Sequence, residues 1–151
     1  MVKRADSSLI LNLSRVLDAS RERVWYAWTD PLRLKEWFAP SAGMGTCLAE
    51  VDFRPGGAWR IGMGQARDPI LIAGRYLEIV PPEKLVFTWN WPPGMFESLR
   101  ETQVTILLKD LGSGKTELTL RHEGFNTAQE RDDHAWGWNG CLGQLAERLA
   151  R

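Results

Sequence analysis

The sequence predicts an α+β domain in which a curved antiparallel sheet of about six to seven strands wraps around one long C-terminal helix, with two short helices after the first strand. Three observations carry this. The hydrophobic period is two at the start, changes to 3.6, returns to two through the middle, and ends at 3.6. The chain has 151 residues, enough for a single domain spanning 1–151 with a sizeable core and no cross-links. Eight of those residues are tryptophan, mostly inside short apolar segments.

The elements follow in order. Residues Leu9 to Val16 alternate, with Leu9, Leu11 and Leu13 on one side of a strand. Ser20 reads as the N-cap of a helix over Arg21 to Thr29, where Val24, Trp25, Ala27 and Trp28 form an apolar stripe. Asp30-Pro31 starts a second short helix with Leu34, Trp37 and Phe38 inward. Strands are expected over Thr46 to Phe53 and Ala58 to Met63, joined at Arg54-Pro55-Gly56-Gly57. A long strand, Ile70 to Val80, ends at Pro81-Pro82. Leu85 to Trp91 alternates Leu85, Phe87, Trp89 and Trp91 against Val86, Thr88 and Asn90. Thr102 to Leu108 and Thr116 to His122 make a hairpin, and His122 shares its parity with Leu118 and Leu120. The final helix runs for roughly 20 or more residues, about 30 Å. Ala135, Trp138, Leu142, Leu145 and Leu149 form its buried stripe, with Glu130, Arg131, Glu147 and Arg148 opposite.

Bulk chemistry narrows the function. Nineteen Lys and Arg against nineteen Asp and Glu give zero net charge, which argues against nucleic acid. There is no signal-peptide core at the start and no apolar run of bilayer length, so no membrane role and a cytoplasmic location are expected. Cys47 and Cys141 are isolated thiols. Signatures of phosphate loops, nucleophile elbows and zinc helices are missing, so no cofactor, metal or catalytic residue is assigned. The sequence has two histidines. Asp132-Asp133-His134 reads as solvated charge early in a helix, and His122 as a structural histidine near the end of an internal space. Gly137 beside Trp138 suggests a close approach of helix to sheet.

Several segments resemble one family. They are Arg15-Val16-Leu17-Asp18-Ala19-Ser20 ahead of Val24-Trp25-Tyr26-Ala27-Trp28-Thr29-Asp30-Pro31, and Leu34-Lys35-Glu36-Trp37-Phe38-Ala39-Pro40. Asp52-Phe53-Arg54-Pro55-Gly56-Gly57-Ala58-Trp59-Arg60 follows, then Gly74-Arg75-Tyr76-Leu77-Glu78 through Pro81-Pro82-Glu83-Lys84-Leu85 to Trp89. The match closes on Thr116-Glu117-Leu118-Thr119-Leu120-Arg121-His122 and Gly137-Trp138 with Leu142 and Leu145. In this order they resemble the START-like helix-grip (SRPBCC) superfamily, in the branch of the activator of heat-shock-protein ATPase homologues. The resemblance implies the helix-grip fold and marks no reaction. Its members' roles imply three classes: a carrier or sensor of hydrophobic ligands, a cyclase-, aromatase- or hydrolase-like enzyme, and a chaperone accessory module of the stress response.

The abundance of large side chains on facing surfaces favours the first class, binding of a small apolar or aromatic molecule between sheet and helix. The expected wall is Trp28, Trp37, Trp59, Tyr76, Phe87, Trp89, Trp91, His122, Trp138 and Leu142. An enzyme would need polar groups converging inside, and the candidates are His122, Tyr76, Asn139 and Asp52. The apolar segment Trp91-Pro92-Pro93-Gly94-Met95-Phe96 is expected either as a lip over the cavity or as the contact of a homodimer.

Overall fold

The computed structural model describes residues 9–41, 43–96 and 100–151. The amino-terminal residues 1–8, read above for a signal segment, lie outside it, as do 42 and 97–99. The elements run β1 (Leu11–Leu17), α1 (Arg21–Thr29), α2 (Pro31–Trp37), β2 (Thr46–Val51), β3 (Ala58–Met63), β4 (Ile70–Val80), β5 (Lys84–Trp89), β6 (Thr102–Gly112), β7 (Lys115–Glu123) and α3 (Ala128–Leu149). The strands form one seven-stranded antiparallel sheet in the order β1-β7-β6-β5-β4-β3-β2. The predicted α+β architecture is the observed one, with α3 packed on the inner face of the sheet.

Local chemistry sets the boundaries. The Ser20 side chain accepts the Arg23 N–H at 3.2 Å and caps α1. Asp30 ends α1 and caps α2, accepting from Arg33 N–H at 3.3 Å, with Pro31 pre-set at the first helical position. A full capping box opens α3. Thr127 Oγ1 accepts the Glu130 N–H at 3.1 Å, and the Glu130 carboxylate accepts the Asn126 and Thr127 N–H groups at 2.9 and 3.3 Å. Glu130 is thereby buried at 7% exposure, which corrects its expected place on the outer surface.

The β4–β5 ladder is interrupted beside Gly74, between the isolated Ala73–Asn90 bridge and the Tyr76–Phe87 pair. Arg75 N–H donates to the Thr88 hydroxyl at 2.8 Å instead of to a strand carbonyl. A Cβ on Gly74 would lie 1.9 Å from the Thr88 carbonyl oxygen, so only glycine fits. Beyond the interruption β5 ends at Trp89, and Asn90 keeps one isolated bridge to Ala73. Trp91 therefore leaves the strand whose parity had been expected to carry it.

The core lies between sheet and α3. Leu85, Val104, Ile106, Leu118 and Leu120 from the strands meet Leu142, Leu145 and Leu149 from the helix. The helical stripe is His134, Trp138, Cys141, Leu142, Leu145 and Leu149; Ala135 is only partly buried. The close-approach glycine of α3 is Gly140, not Gly137. A Cβ on Gly140 would sit 2.0 Å from the Pro40 carbonyl oxygen, whereas Gly137 has nothing within 4 Å. That contact draws α3 against the segment after α2 and leaves space one turn earlier.

Candidate functional site

That space is a cavity of about 350 Å³, within the roughly 300–1,000 Å³ range of small-molecule sites. Its floor is Met63 of β3 with Ile70 and Ile72 of β4. Phe38, Pro40 and Met44 close one side, and α3 supplies the other from Asp133 to Cys141. Trp89, Trp91, Met95 and Phe96 complete the wall, so the apolar segment after β5 forms its lip. Every methionine after the first residue lines this space. Flexible, polarisable thioethers let a wall adapt to its contents.

Three of the ten expected wall residues line it: Trp89, Trp91 and Trp138. Trp28, Trp59, Tyr76 and Phe87 instead border, with Trp89, a separate void of about 20 Å³, the scale of one water. The indole N–H groups of Trp28, Trp59 and Trp89 are buried without a hydrogen-bond partner among the described residues. Trp37 is spent on structure, donating its N–H to the Ala27 carbonyl at 2.9 Å and packing edge-on against Trp28 at 4.8 Å. Leu142 is core. Of the other polar candidates, Asp52 is exposed and pairs with Arg54, and Asn139 is exposed and donates to the Ala135 carbonyl. Tyr76, whose direction parity left open, points inward, and burial pushes its phenol up.

His122 faces inward as its parity predicts, yet it is sealed at 0% exposure. Its Nδ1 accepts the Trp138 indole N–H at 3.0 Å. An indole N–H only donates, so Nδ1 is unprotonated and the proton sits on Nε2, which donates to Thr102 Oγ1 at 2.8 Å. Thr102 passes its own hydrogen to the Trp89 carbonyl at 3.1 Å. Burial, followed by the neighbouring His134, holds His122 well below the usual imidazole range. It is a neutral, fully engaged structural group.

His134 was read as solvated and is not. It is 4% exposed and lines the cavity. Its Nε2 accepts the Trp91 indole N–H at 2.8 Å, so Nδ1 carries the proton and donates to the Glu130 carbonyl at 2.7 Å. Burial lowers its pKa, partly opposed by the Glu130 carbonyl and the charges of Asp133 and Glu130. The signal for this residue was its spacing: positions 134, 138 and 141 share one face of a helix. The acidic neighbours Asp132 and Asp133 obscured it. Cys141 lies on the same face, and burial pushes its thiol up to about 12. Trp136, also on the rim, is 71% exposed and gave no periodic signal.

A second depression of about 580 Å³ lies over β2 to β5, and charged side chains line it alongside apolar ones. Of those charged side chains, Glu50 and Arg60 pair with each other, and Asp52 pairs with Arg54. Among the described residues no group of His, Cys, Asp and Glu could hold a metal ion, and no helix is long and apolar enough to cross a membrane.

The fold is shared with solved structures. A protein of Chromobacterium violaceum is 32% identical, covering 94% of this chain and 97% of that one with a TM-score of 0.78. A protein of Nitrosomonas europaea is 28% identical, with 96% of each chain covered and a TM-score of 0.77. CalU16 of Micromonospora echinospora is 25% identical over 93% of this chain and 75% of that one, with a TM-score of 0.72. No curated protein matches. The family model described as activator of Hsp90 ATPase homolog 1-like protein matches residues 18–150, nearly the whole chain and the branch to which its motifs pointed. The chain belongs to that family.

Proposed function

We infer that the protein binds a small apolar or aromatic molecule in the 350 Å³ cavity, as a carrier or sensor. The observation that carries this reading is the wall itself: aromatic rings and thioethers on nearly every side, with both histidines already committed to hydrogen bonds as neutral groups. Transfer of an apolar ligand from water onto such a surface is favourable by about 25 cal/mol per Å² buried. The fold is one that commonly holds hydrophobic ligands. An enzymatic reading needs a titratable group free to exchange a proton with a substrate; His122 is sealed with no carboxylate partner, and His134 on the lining engages both ring nitrogens, with Trp91 and the Glu130 carbonyl. The chaperone-accessory reading rests on the family's description alone.

The test is a titration with N-phenyl-1-naphthylamine, an uncharged fluorescent probe, against the protein and its Gly137→Leu variant. Saturable binding with perturbed tryptophan emission is expected, weakened at least tenfold when the leucine fills the space beside Gly137. Non-saturable binding, or equal binding by the variant, would overturn the reading.

A further inference from the structure

The geometry points to a specific ligand class: an apolar or aromatic cation, its hydrocarbon body inside the cavity and its ammonium at the mouth between Asp133 and Trp136. This rests on the binding role proposed above and adds a charge to the ligand. The cavity's aromatic wall is Phe38, Trp89, Trp91, Phe96, Trp136 and Trp138. Three of its four indoles offer no free donor. Trp91 and Trp138 spend their N–H groups on His134 and His122, and the Trp89 N–H is sealed from any probe. A ring face carries negative potential and attracts cations, indole most strongly. The sulfur atoms of Met44, Met63 and Met95 add polarisable, weakly accepting surface.

The charged groups agree in sign. Asp133 is the one carboxylate on the described lining, and no Lys or Arg stands there. It accepts from Gln129 Nε2 at 2.8 Å and makes no ion pair among the described residues, whereas its neighbour Asp132 is paired with Arg131. Asp133 and Trp136 are three residues apart on α3, adjacent on the helix surface. Trp136 is the most exposed large hydrophobic side chain on α3 and lines the cavity as well, so its indole is open to solvent at the mouth. An anionic ligand would meet a carboxylate and aromatic rings, with no cationic counterpart on the described lining. A cation meets both kinds of attraction at once.

Three probes on one naphthalene body test this by calorimetry: (2-naphthylmethyl)trimethylammonium, its uncharged isostere 2-neopentylnaphthalene, and 2-naphthylacetate. The ammonium is expected to bind about tenfold more tightly than the neutral isostere, with the carboxylate weakest. Asp133→Asn should lower the ammonium's affinity several-fold and leave the neutral probe unchanged. Binding of the neutral isostere as tightly as the ammonium, or an ammonium affinity unmoved by Asp133→Asn, overturns the cation assignment while leaving the cavity a binding site. No binding of any probe overturns the binding role and this inference with it.

Discussion

The Trp138 indole on α3 and the His122 imidazole on β7 meet through a single hydrogen bond of 3.0 Å that crosses the interior from helix to sheet. The same exchange recurs beside it, where Trp91 donates to His134, and the two imidazole rings stand edge-on at 5.2 Å. Each histidine is held neutral because an indole can only be a donor. Helix position and lip position are thus both tied to the protonation state of a buried base.

The first prediction follows from that. Both pKa values are lowered, chiefly by burial, so the unfolded chain takes up these protons first as pH falls. The stability they confer is complete above the unfolded value of about 6.5 and is lost progressively below it. One such histidine contributes a slope of up to about 1.4 kcal/mol per pH unit. Urea unfolding at several pH values from about 7.5 to 5 should therefore show a steeper decline in the parent protein than in His122→Phe. At pH 7.5 the variant should be about 1–3 kcal/mol less stable, because the Trp138 N–H loses its acceptor in the interior. Parallel pH profiles for the two proteins would refute the assignment.

Strand and helix periodicity exposed much of this fold in the sequence. Leu118, Leu120 and His122 share a face because a strand's parity is local geometry, and the spacing of Trp138, Leu142, Leu145 and Leu149 is likewise local. The capping box of α3 went unread: Thr127 and Glu130 stand three apart ahead of the apolar stripe, yet periodicity alone puts the carboxylate outside. What could not be read depends on tertiary position. The partition of the aromatic wall, with Trp59 and Phe87 on the small void and Trp91 on the large one, goes with the close approach of Gly74 to Thr88 and the end of β5 at Trp89. Whether Gly137 or Gly140 touches a neighbour is decided by where Pro40 lies, and no spacing encodes that.

Those two glycines give a pair of opposite outcomes. Both are in the same helix, and alanine in a helix interior is favoured over glycine by about 0.8–1 kcal/mol. At Gly137 the new methyl meets open space, so Gly137→Ala should stabilise by up to that amount. At Gly140 it would collide with the Pro40 carbonyl, so Gly140→Ala should destabilise by about 1–3 kcal/mol despite the better propensity. Thermal or urea unfolding of the two variants checks the signs. Equal shifts in one direction would mean that α3 does not approach Pro40 as closely as described.

The last prediction concerns the thiols. Cys141 sits in the cavity wall, is buried, and has its thiol pushed up to about 12 by desolvation. The thiolate is the reactive form, and burial disfavours it at Cys141. Cys47 is half-buried on β2, its thiol 3.4 Å from the Gly62 carbonyl. In the folded protein a charged aromatic disulfide reagent should therefore modify Cys47 first and Cys141 only on unfolding. Cys47→Ser should abolish the fast phase and leave a single slow one, at least a hundredfold slower, that becomes rapid in urea. A fast phase surviving in Cys47→Ser would show that Cys141 is reached through the open side of the cavity, contrary to its burial.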